Sequence, residues 1–181
     1  MGSITLITGA PGCGKTTVST LLAERSERGL HIPSDIFYTF PAHSVPPHLA
    51  AAQSQNEAVI AAAVHAAAAF ALHAYDVFLD GIFGPWFLPL ISSELSPSLP
   101  AVHYVILRSP LPTALRRIRD RSGHLSEDVV CQMHGEFEAC LGRYGRNVVE
   151  TEGRSTADVA DLVLRGRERG DFLLALDAIG K

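Results

Sequence analysis

Five short runs of apolar and β-branched residues recur along the chain, and longer segments with helical character separate them. The runs are residues 4–8, 30–33, 77–81, 102–107 and 147–150. The run at 102–107 lacks the regular alternation of a strand with one face in water, which favours a strand buried on both faces. Strands that alternate with helices in this way predict an α/β fold with a five-stranded parallel sheet.

The segments between these runs predict helices, because their apolar residues recur at intervals of three and four. The predicted helices are residues 15–27, 50–73, 86–94 and 110–122, a helix capped by Ser126 that ends near residue 141, and a helix capped by Ser155 or Thr156 that ends near residue 167. We expect the alanine-rich stretch 58–74 to be a buried helix and not a membrane span, since it is short and carries two histidines. No repeat or linker divides the chain, so residues 1–181 are expected to form one domain.

The most informative motif follows the first predicted strand. It reads Gly9-Ala10-Pro11-Gly12-Cys13-Gly14-Lys15-Thr16, and Thr17 continues into the first predicted helix. A strand, the pattern G-x-x-x-x-G-K-[ST] and a helix form the context of a P-loop, whose glycines let backbone N–H groups surround a phosphate chain. Lys15 is then placed to reach the β- and γ-phosphates, and the hydroxyl of Thr16 to bind Mg²⁺. We therefore expect residues 9–17 to contact a bound nucleotide or its metal ion.

Composition limits the classes of protein that remain. The formal net charge of −4 provides no general basic surface for duplex nucleic acid, so no nucleic-acid partner is expected. Three widely spaced cysteines form neither a disulfide framework nor a zinc site, and they favour a reducing cytoplasm. The first strand begins too early to leave room for a signal peptide. We interpret Cys13 as a small filler whose side chain points outward, with a reactive thiol as the alternative.

Two acidic residues are placed at the ends of predicted strands. Asp35 comes just after the second strand, and Asp80 lies near the end of the third. Ligands of open α/β sheets bind outside the carboxyl ends of the strands, where we expect both carboxylates. Asp35 is suited to receive or orient a substrate hydroxyl and Asp80 to hold Mg²⁺, although the sequence leaves these two roles interchangeable. The alternative for each residue is a cap on the turn that follows.

A run of arginines crosses the helix predicted after the fourth strand. Arg117 and Arg121 are four residues apart and share one face of that helix, whereas Arg116 and Arg119 point elsewhere and are expected at the surface. Guanidinium groups suit the charge of a transferring phosphoryl group, so Arg117 and Arg121 are candidate catalytic residues. Because a glycine and polar residues follow the run, residues 117–135 are predicted to form a mobile lid. The alternative is a solvated basic face.

The eight histidines form no metal-ligand pattern. Three of them lie in apolar segments and are expected in the core: His65, His73 and His103. Three others, close to Asp35 in the sequence, are weaker candidates for a functional role: His31, His43 and His48. The aromatic cluster of Phe83, Trp86 and Phe87 is expected to belong to the core and not to form a stacking platform.

With these residues in place, the chain resembles small P-loop kinases of the adenylate-kinase-like group, above all the branch of chloramphenicol phosphotransferase and zeta toxins. The resemblance rests on residues 9–16, on His31-Ile32-Pro33-Ser34-Asp35, on Phe78-Leu79-Asp80-Gly81, and on Arg117 with Arg121 after residues 105–108. It implies a sheet ordered 2-3-1-4-5 with helices on both faces, ATP with Mg²⁺ as donor, an activating acid at Asp35 and two lid arginines. It also implies an adenine site at residues 151–154, which makes Arg154 a candidate nucleotide ligand. The segment 35–57, which would bind the acceptor, matches no subfamily.

These features predict an ATP-dependent phosphotransferase that acts on a hydroxyl of a small molecule. The acceptor could be an antibiotic, a nucleoside, a sugar or, as in a toxin-type kinase, a nucleotide-sugar. The rival from another class is an ATP-binding regulatory switch without kinase activity, which would keep the loop but have no use for an acceptor acid or lid arginines. A GTPase is disfavoured because the chain has no N-K-x-D motif. The sequence favours neither a monomer nor a homodimer.

Overall fold

In the computed structural model, which describes residues 2–95, 101–120 and 125–176, five parallel strands form one sheet. They are β1 (Ser3–Thr8), β2 (Gly29–Pro33), β3 (Asp76–Asp80), β4 (Val102–Arg108) and β5 (Val148–Glu150). Each bound lies within a residue of its prediction. The strand order is β2-β3-β1-β4-β5, which confirms the expected order 2-3-1-4-5.

The register of the strands brings three of their ends level. Asp80, the last residue of β3, is the Cα partner of Ile7 in β1 and of Pro33 in β2. On the other side of β1, Thr8 pairs with Ile106 of β4. The loops that leave β1, β2 and β3 therefore start side by side, at what we call the carboxyl edge of the sheet.

Helices connect the strands as the sequence predicts. They are α1 (Lys15–Arg25), α2 (Gln53–Leu72), α3 (Leu88–Glu94), α4 (Leu111–Asp120), α5 (Glu127–Tyr144) and α6 (Thr156–Arg169). Ser126 caps α5 by accepting a hydrogen bond from the Val129 N–H. Ser155 caps α6 in a capping box with Asp158, which decides between the two predicted caps. The loop predicted around Pro97 and Pro100 lies outside the described residues.

The sheet is buried on both faces, so the fold has three layers. Along β1, Ile4 and Leu6 belong to a core cluster that includes residues of α2, α3 and α5. Ile7 belongs to a second cluster, formed with α1 and α6. The alternation follows from the pleat of the strand, which points successive side chains to opposite faces. The expectation of helices on both faces is confirmed.

Helix α2 buries only one of its faces. The buried side chains are those of Val59, Ile60, Ala63, Val64, Ala67, Ala68 and Ala71. His65 and His73 are exposed, so the prediction that they lie in the core is wrong, while His103 is buried in β4 as expected. By length and composition alone the helical stretch Ala50–Leu72 could cross a membrane, and 44% of its apolar 18-residue window is buried inside the protein.

The chain after α6 returns to the sheet and lies antiparallel to the first half of β4. The Tyr104 N–H donates to the Phe172 carbonyl (2.8 Å), and the Leu174 N–H donates to the Val102 carbonyl (2.8 Å). Strand β5 pairs only with the second half of β4, from Ile106 onwards. The returning segment thus covers the part of β4 that β5 leaves free.

Candidate active site

The predicted P-loop joins β1 to α1, in the strand–loop–helix context that the motif requires. Gly9 has a φ of 139°, and a Cβ there would lie 2.1 Å from the Leu107 carbonyl oxygen. Gly12 has a φ of 83°, and its Cβ would lie 2.6 Å from the Ala114 carbonyl oxygen. Only glycine satisfies both the backbone angle and the space at these positions. The loop is therefore packed directly against β4 and α4.

Lys15 lies across this loop. Its ammonium donates to the carbonyl oxygens of Gly9 (2.9 Å) and Ala10 (3.2 Å). These contacts keep a positive charge at the loop, next to the amino terminus of α1, whose partial charge is also positive. The loop can consequently bind a polyanion.

Cys13 is oriented differently from the prediction. Its side chain is 1% exposed and packs in the core cluster between the sheet and α1. The filler interpretation holds, but the side chain points inward and belongs to a cluster with residues of β1, β4 and α1. A buried thiol in apolar surroundings is not a reactive nucleophile.

The carboxylate of Asp80 is hydrogen bonded on both oxygens. The Thr16 hydroxyl donates to Oδ2 (2.8 Å), and His31 Nε2 lies 2.6 Å from Oδ1. The other ring nitrogen of His31 lies 3.2 Å from the hydroxyl of Thr20 on α1. Asp80, which is 4% exposed, therefore joins the P-loop, β2 and β3 in one polar network and does not cap a turn.

The contacts of His31 are not those of its sequence neighbours. His31 lies four residues before Asp35 in the sequence, but its ring contacts Asp80 and Thr20. The parallel register instead sets β2 directly beside β3. The strand order 2-3-1-4-5 that the resemblance implies also sets β2 beside β3, and this order is the signal in the sequence that places His31 near Asp80.

Asp35 is the second residue of the 3₁₀ segment Ser34–Thr39, which directly follows β2. It remains accessible to solvent, yet partial loss of hydration raises the pKa of its carboxyl above the usual 3.8. The nearby charge of Lys15 opposes this rise, and that of Asp80 adds to it. Burial together with the Asp35 charge raises the pKa of Tyr38 to about 12. Within the described residues no hydrogen-bond donor reaches the Asp35 carboxylate, so the two acids have different surroundings.

Helix α4 directs one of the predicted arginines at the P-loop. Arg117 Nη1 donates to the Gly12 carbonyl (3.2 Å). Arg116 and Arg119 are exposed, and Arg119 forms an ion pair with Glu127 (2.6 Å), which confirms that both lie at the surface. Arg121 lies outside the described residues, as do the others between Asp120 and Leu125. The second half of the predicted lid segment 117–135 belongs to α5.

Arg154 lies in the loop between β5 and α6, where it donates to the Glu150 carbonyl (3.0 Å). An open groove of about 620 Å³ extends from Thr16 and Thr17 along α1 to Thr156, two residues beyond Arg154. The loop predicted to hold adenine, residues 151–154, therefore ends two residues before the groove. The contact of Arg154 with a nucleotide stays a prediction.

The aromatic cluster after β3 is divided between core and surface. Phe83 is 1% exposed and Phe87 is partly buried, whereas Trp86 is 44% exposed. The Trp86 ring lies 5.5 Å from the ring of Phe137 on α5. The prediction of a core cluster is therefore wrong for Trp86, which faces solvent next to the carboxyl edge.

A phosphate-binding loop of this type, at the carboxyl edge of a parallel sheet ordered 2-3-1-4-5, defines a P-loop kinase-like protein. Within that class, the chain belongs to a family of AAA domains, whose sequence model matches residues 5–135. No curated protein matches the sequence.

Several solved structures share the fold. A sugar kinase from Janibacter sp. HTCC2649 superposes with a TM-score of 0.69 at 16% identity, over 93% of this chain and 95% of that one. Shikimate kinase from Acinetobacter baumannii, in complex with shikimate, gives 0.66 at 19% identity, over 94% of both chains. The tunicamycin resistance protein of Deinococcus radiodurans gives 0.65 at 18% identity, over 95% and 98%. At these identities the similarity shows the fold alone.

Proposed function

We propose that the protein transfers the γ-phosphoryl group of Mg-ATP to a hydroxyl of a small molecule in the cytoplasm. The observation that carries this proposal is the meeting of three groups at the carboxyl edge. They are the P-loop with Lys15, the Thr16–Asp80 pair at 2.8 Å, and the Asp35 carboxylate without a hydrogen-bonded partner in the described chain. A regulatory switch would need the first two of these groups but not the third. The kinases among similar structures support the same reading.

The donor half of the site is formed by the loop and α4. The glycines of the loop allow its backbone N–H groups to surround the β- and γ-phosphates. Lys15 can turn from the loop carbonyls that it contacts to those phosphates. Arg117 already contacts the loop at Gly12, and we propose that its guanidinium turns from that carbonyl to the transferring group. Arg121, four residues on, is proposed to act with it.

The residues present fit a magnesium ion. Thr16 and Asp80 offer a hydroxyl and a carboxylate, which are hard oxygen ligands. Among the described residues no cluster of three or more His, Cys, Asp or Glu forms a metal cage. This suits Mg²⁺, which binds through one or two protein oxygens, waters and substrate phosphates. When bound, the ion neutralises phosphate charge, while His31 holds the Asp80 carboxylate in place from the other side.

We assign the role of base to Asp35. Asp80 has both oxygens hydrogen bonded, whereas Asp35 is accessible and has a raised pKa, which makes it a better proton acceptor than an ordinary aspartate. In the reaction, the acceptor oxygen forms a bond to the γ-phosphorus as the bond from that phosphorus to the bridging oxygen of ADP breaks. The hydroxyl proton passes to the Asp35 carboxylate, and ADP leaves.

The proposal is tested first on the donor. Lys15→Ala should lower ATP turnover by about 10²-fold or more, because it removes a charge that acts on the transferring phosphoryl group. Lys15 is half-buried at the loop and contributes nothing to either core cluster, so the fold should persist. Arg146→Ala removes an exposed cation away from the site and serves as the matched control. Wild-type turnover in a folded Lys15→Ala protein, measured by ADP release and circular dichroism, would refute the proposal.

A further inference from the structure

The chain has no lysine or arginine between Arg28 and Arg108. This interval contains β2, the segment 35–57, α2, β3 and the turn after β3, which together form the acceptor half of the proposed site. Kinases for anionic acceptors need cations there, because a carboxylate or phosphate that leaves water without a charged partner loses its hydration uncompensated. The interval offers only histidines as possible cations.

The cations near the carboxyl edge in the described chain already have partners on the donor side. Lys15 binds the loop carbonyls, and Arg117 binds Gly12. Arg108 is held between Glu138 (2.6 Å) and Glu150 (2.7 Å). His31 is paired with Asp80, and His43 and His48 lie in an exposed loop.

The fixed charges of the acceptor half are negative. Asp35 and Asp80 are close enough for the charge of Asp80 to raise the pKa of Asp35. Glu57 adds a third carboxylate in the first turns of α2, where it accepts from Gln53 (2.7 Å). A second anion brought to this region would be repelled by these groups, and the repulsion grows as the site loses water.

Large apolar side chains stand exposed around the same edge. Ile36 is 49% exposed, Phe40 67%, Leu49 46% and Trp86 44%. They come from the segments that follow β2 and β3. Exposed apolar groups in the same half of a site as a few polar ones are typical of a site for an apolar ligand.

These side chains are held by the surrounding structure. Phe40 packs edge-on against Phe37, with 5.4 Å between the rings, and Phe37 in turn packs on the core. The loop before Leu49 is fastened to α2, because the Gln55 side chain both accepts from and donates to the backbone of Val45 at 2.8 Å. Apolar groups on a supported loop can present a formed surface to a ligand.

We infer that the acceptor is an uncharged alcohol with an apolar or aromatic body, which lies against Ile36, Phe40, Leu49 and Trp86 while its hydroxyl reaches Asp35. This inference rests on the proposed function and narrows it. A nucleotide-sugar or a sugar acid is excluded as acceptor, because each carries an anion for which the acceptor half has no cation. The phosphoryl transfer is the step already described, with Asp35 as the proton acceptor.

Four probe alcohols separate charge from apolar contact. They are 3-phenylpropane-1,2-diol, 3-phenyllactate, glycerol and glycerate, each tested with a non-hydrolysable ATP analogue for binding and with ATP for turnover. Trp86 is the only tryptophan of the chain, so its fluorescence reports binding to the proposed surface. The phenyl diol should bind about 10-fold or more tightly than glycerol through its apolar body. It should also bind about 10-fold or more tightly than phenyllactate, whose carboxylate would be unpaired. Equal binding of the diol and either compound overturns the inference.

A pair of variants tests the charge argument directly. Leu49→Arg adds a cation on the exposed apolar surface, and Leu72→Arg adds the same cation at the far end of α2, where Leu72 is 64% exposed. Leu49→Arg should reduce the preference for phenyl diol over phenyllactate, whereas Leu72→Arg should leave that preference unchanged. The same preference in both variants contradicts the assignment of this surface to the acceptor.

The outcome also separates this inference from the proposal on which it rests. If Lys15-dependent ATP turnover is present but anionic probes bind as well as neutral ones, the kinase proposal stands and the acceptor class is wrong. If ATP turnover does not depend on Lys15, the kinase proposal itself fails.

Discussion

At the scale of single residues, the site depends on two aspartates with unlike surroundings. Asp80 is buried and hydrogen bonded to Thr16 and His31, which holds its carboxylate in place. Asp35 lies one strand away, accessible and without a hydrogen-bonded partner among the described residues. Groups whose environments differ in this way are suited to different chemical roles.

The first prediction concerns Asp35→Asn. Turnover should fall by about 10²-fold or more, the scale of a lost general base, while ATP affinity measured by calorimetry stays near wild type. Stability should rise slightly at neutral pH, because a raised carboxyl pKa means that ionisation opposes folding as the pH rises above the unfolded value of 3.8. Equal losses of ATP affinity and turnover would place Asp35 in the donor half instead.

The second prediction concerns His31 as a positioning residue for Asp80. His31→Phe should weaken binding of Mn²⁺, a paramagnetic probe for Mg²⁺, by about 10-fold or more in the presence of nucleotide. His31→Gln, which keeps a donor, should restore most of that affinity, and His65→Phe, on the exposed face of α2, should change nothing. Electron paramagnetic resonance measures the free ion. Equal affinity in His31→Phe and wild type would show that the contact with Asp80 is incidental.

The sequence predicts the identities of these residues better than their neighbours. The P-loop, Asp35 and Asp80 follow from a motif and from strand ends, which are local features. The inward turn of Cys13 and the contact of His31 depend on how loops and strands pack, which spacing alone does not encode. Local patterns therefore locate the site, and tertiary packing assigns the partners.

At the scale of elements, the approach of α4 to the P-loop sets the donor half. The backbone of Ala114 lies so close to Gly12 that any side chain at Gly12 would collide with it. Arg117 follows Ala114 by three residues and so shares its face of the helix. The close packing of α4 on the P-loop therefore requires glycine at position 12 and also brings the Arg117 guanidinium into contact with the loop.

The third prediction compares the arginines of α4. Arg117→Ala should lower kcat by about 10²-fold or more with a smaller loss of ATP affinity, because the charge that it meets develops in the transition state. Arg116→Ala and Arg119→Ala should remain near wild type, since both side chains are exposed. Steady-state kinetics on the three variants measures kcat and so tests whether Arg117 alone is required for turnover. Three small and similar effects would favour a nucleotide-dependent switch over a kinase.

The strands and helices were largely predictable from the sequence, except for the buried face of α2. All five strands and the strand order match, because continuous apolar runs and the family resemblance both constrain them. In α2, alanine occupies buried and exposed positions alike, as at Ala63 and Ala62. The contrast between apolar and polar residues that reveals the buried face of a helix is then missing, which explains why the core position predicted for His65 is wrong.

At the scale of the whole molecule, the carboxyl ends of the strands form the proposed site, whereas their amino ends carry a stabilising polar network. The edge opposite the site is stabilised by Arg167 of α6, which donates to Asp76 at the start of β3 (2.7 Å) and to Ser3 at the start of β1 (2.7 Å). Burial alone would raise the pKa of Asp76, but the bonds from Arg167, Ser3 and Ser26 lower it. This network ties two strands and two helices together far from the chemistry.

The fourth prediction uses His103, which is buried in β4. Burial first, and the charge of Arg167 second, lower its pKa from 6.5 to about 4, against a smaller opposing effect of Asp76. The unfolded state therefore binds a proton that the folded state does not, and stability is lost as the pH falls from 6.5 to about 4. The loss amounts to about 3 kcal/mol by the pKa difference.

His103→Gln should remove that part of the acid sensitivity, so urea unfolding between pH 7 and pH 4 should show a flatter dependence than wild type. The Asp76 network, whose lowered pKa matters only at more acidic pH, is left in place. His43→Gln, in an exposed loop, is the control and should keep the wild-type slope. An unchanged slope in His103→Gln would exclude this residue as the source.

The segment after α6 has a further consequence for how the molecule behaves among its own copies. A strand whose N–H and C=O groups lack partners is a template on which another chain can add a strand. The three residues from Phe172 to Leu174 pair with this part of β4. The ring of Phe172 packs on Gly166 of α6, where a Cβ would lie 2.2 Å from it. A side chain at Gly166 would therefore displace Phe172 and expose backbone groups of β4 with which another chain could pair.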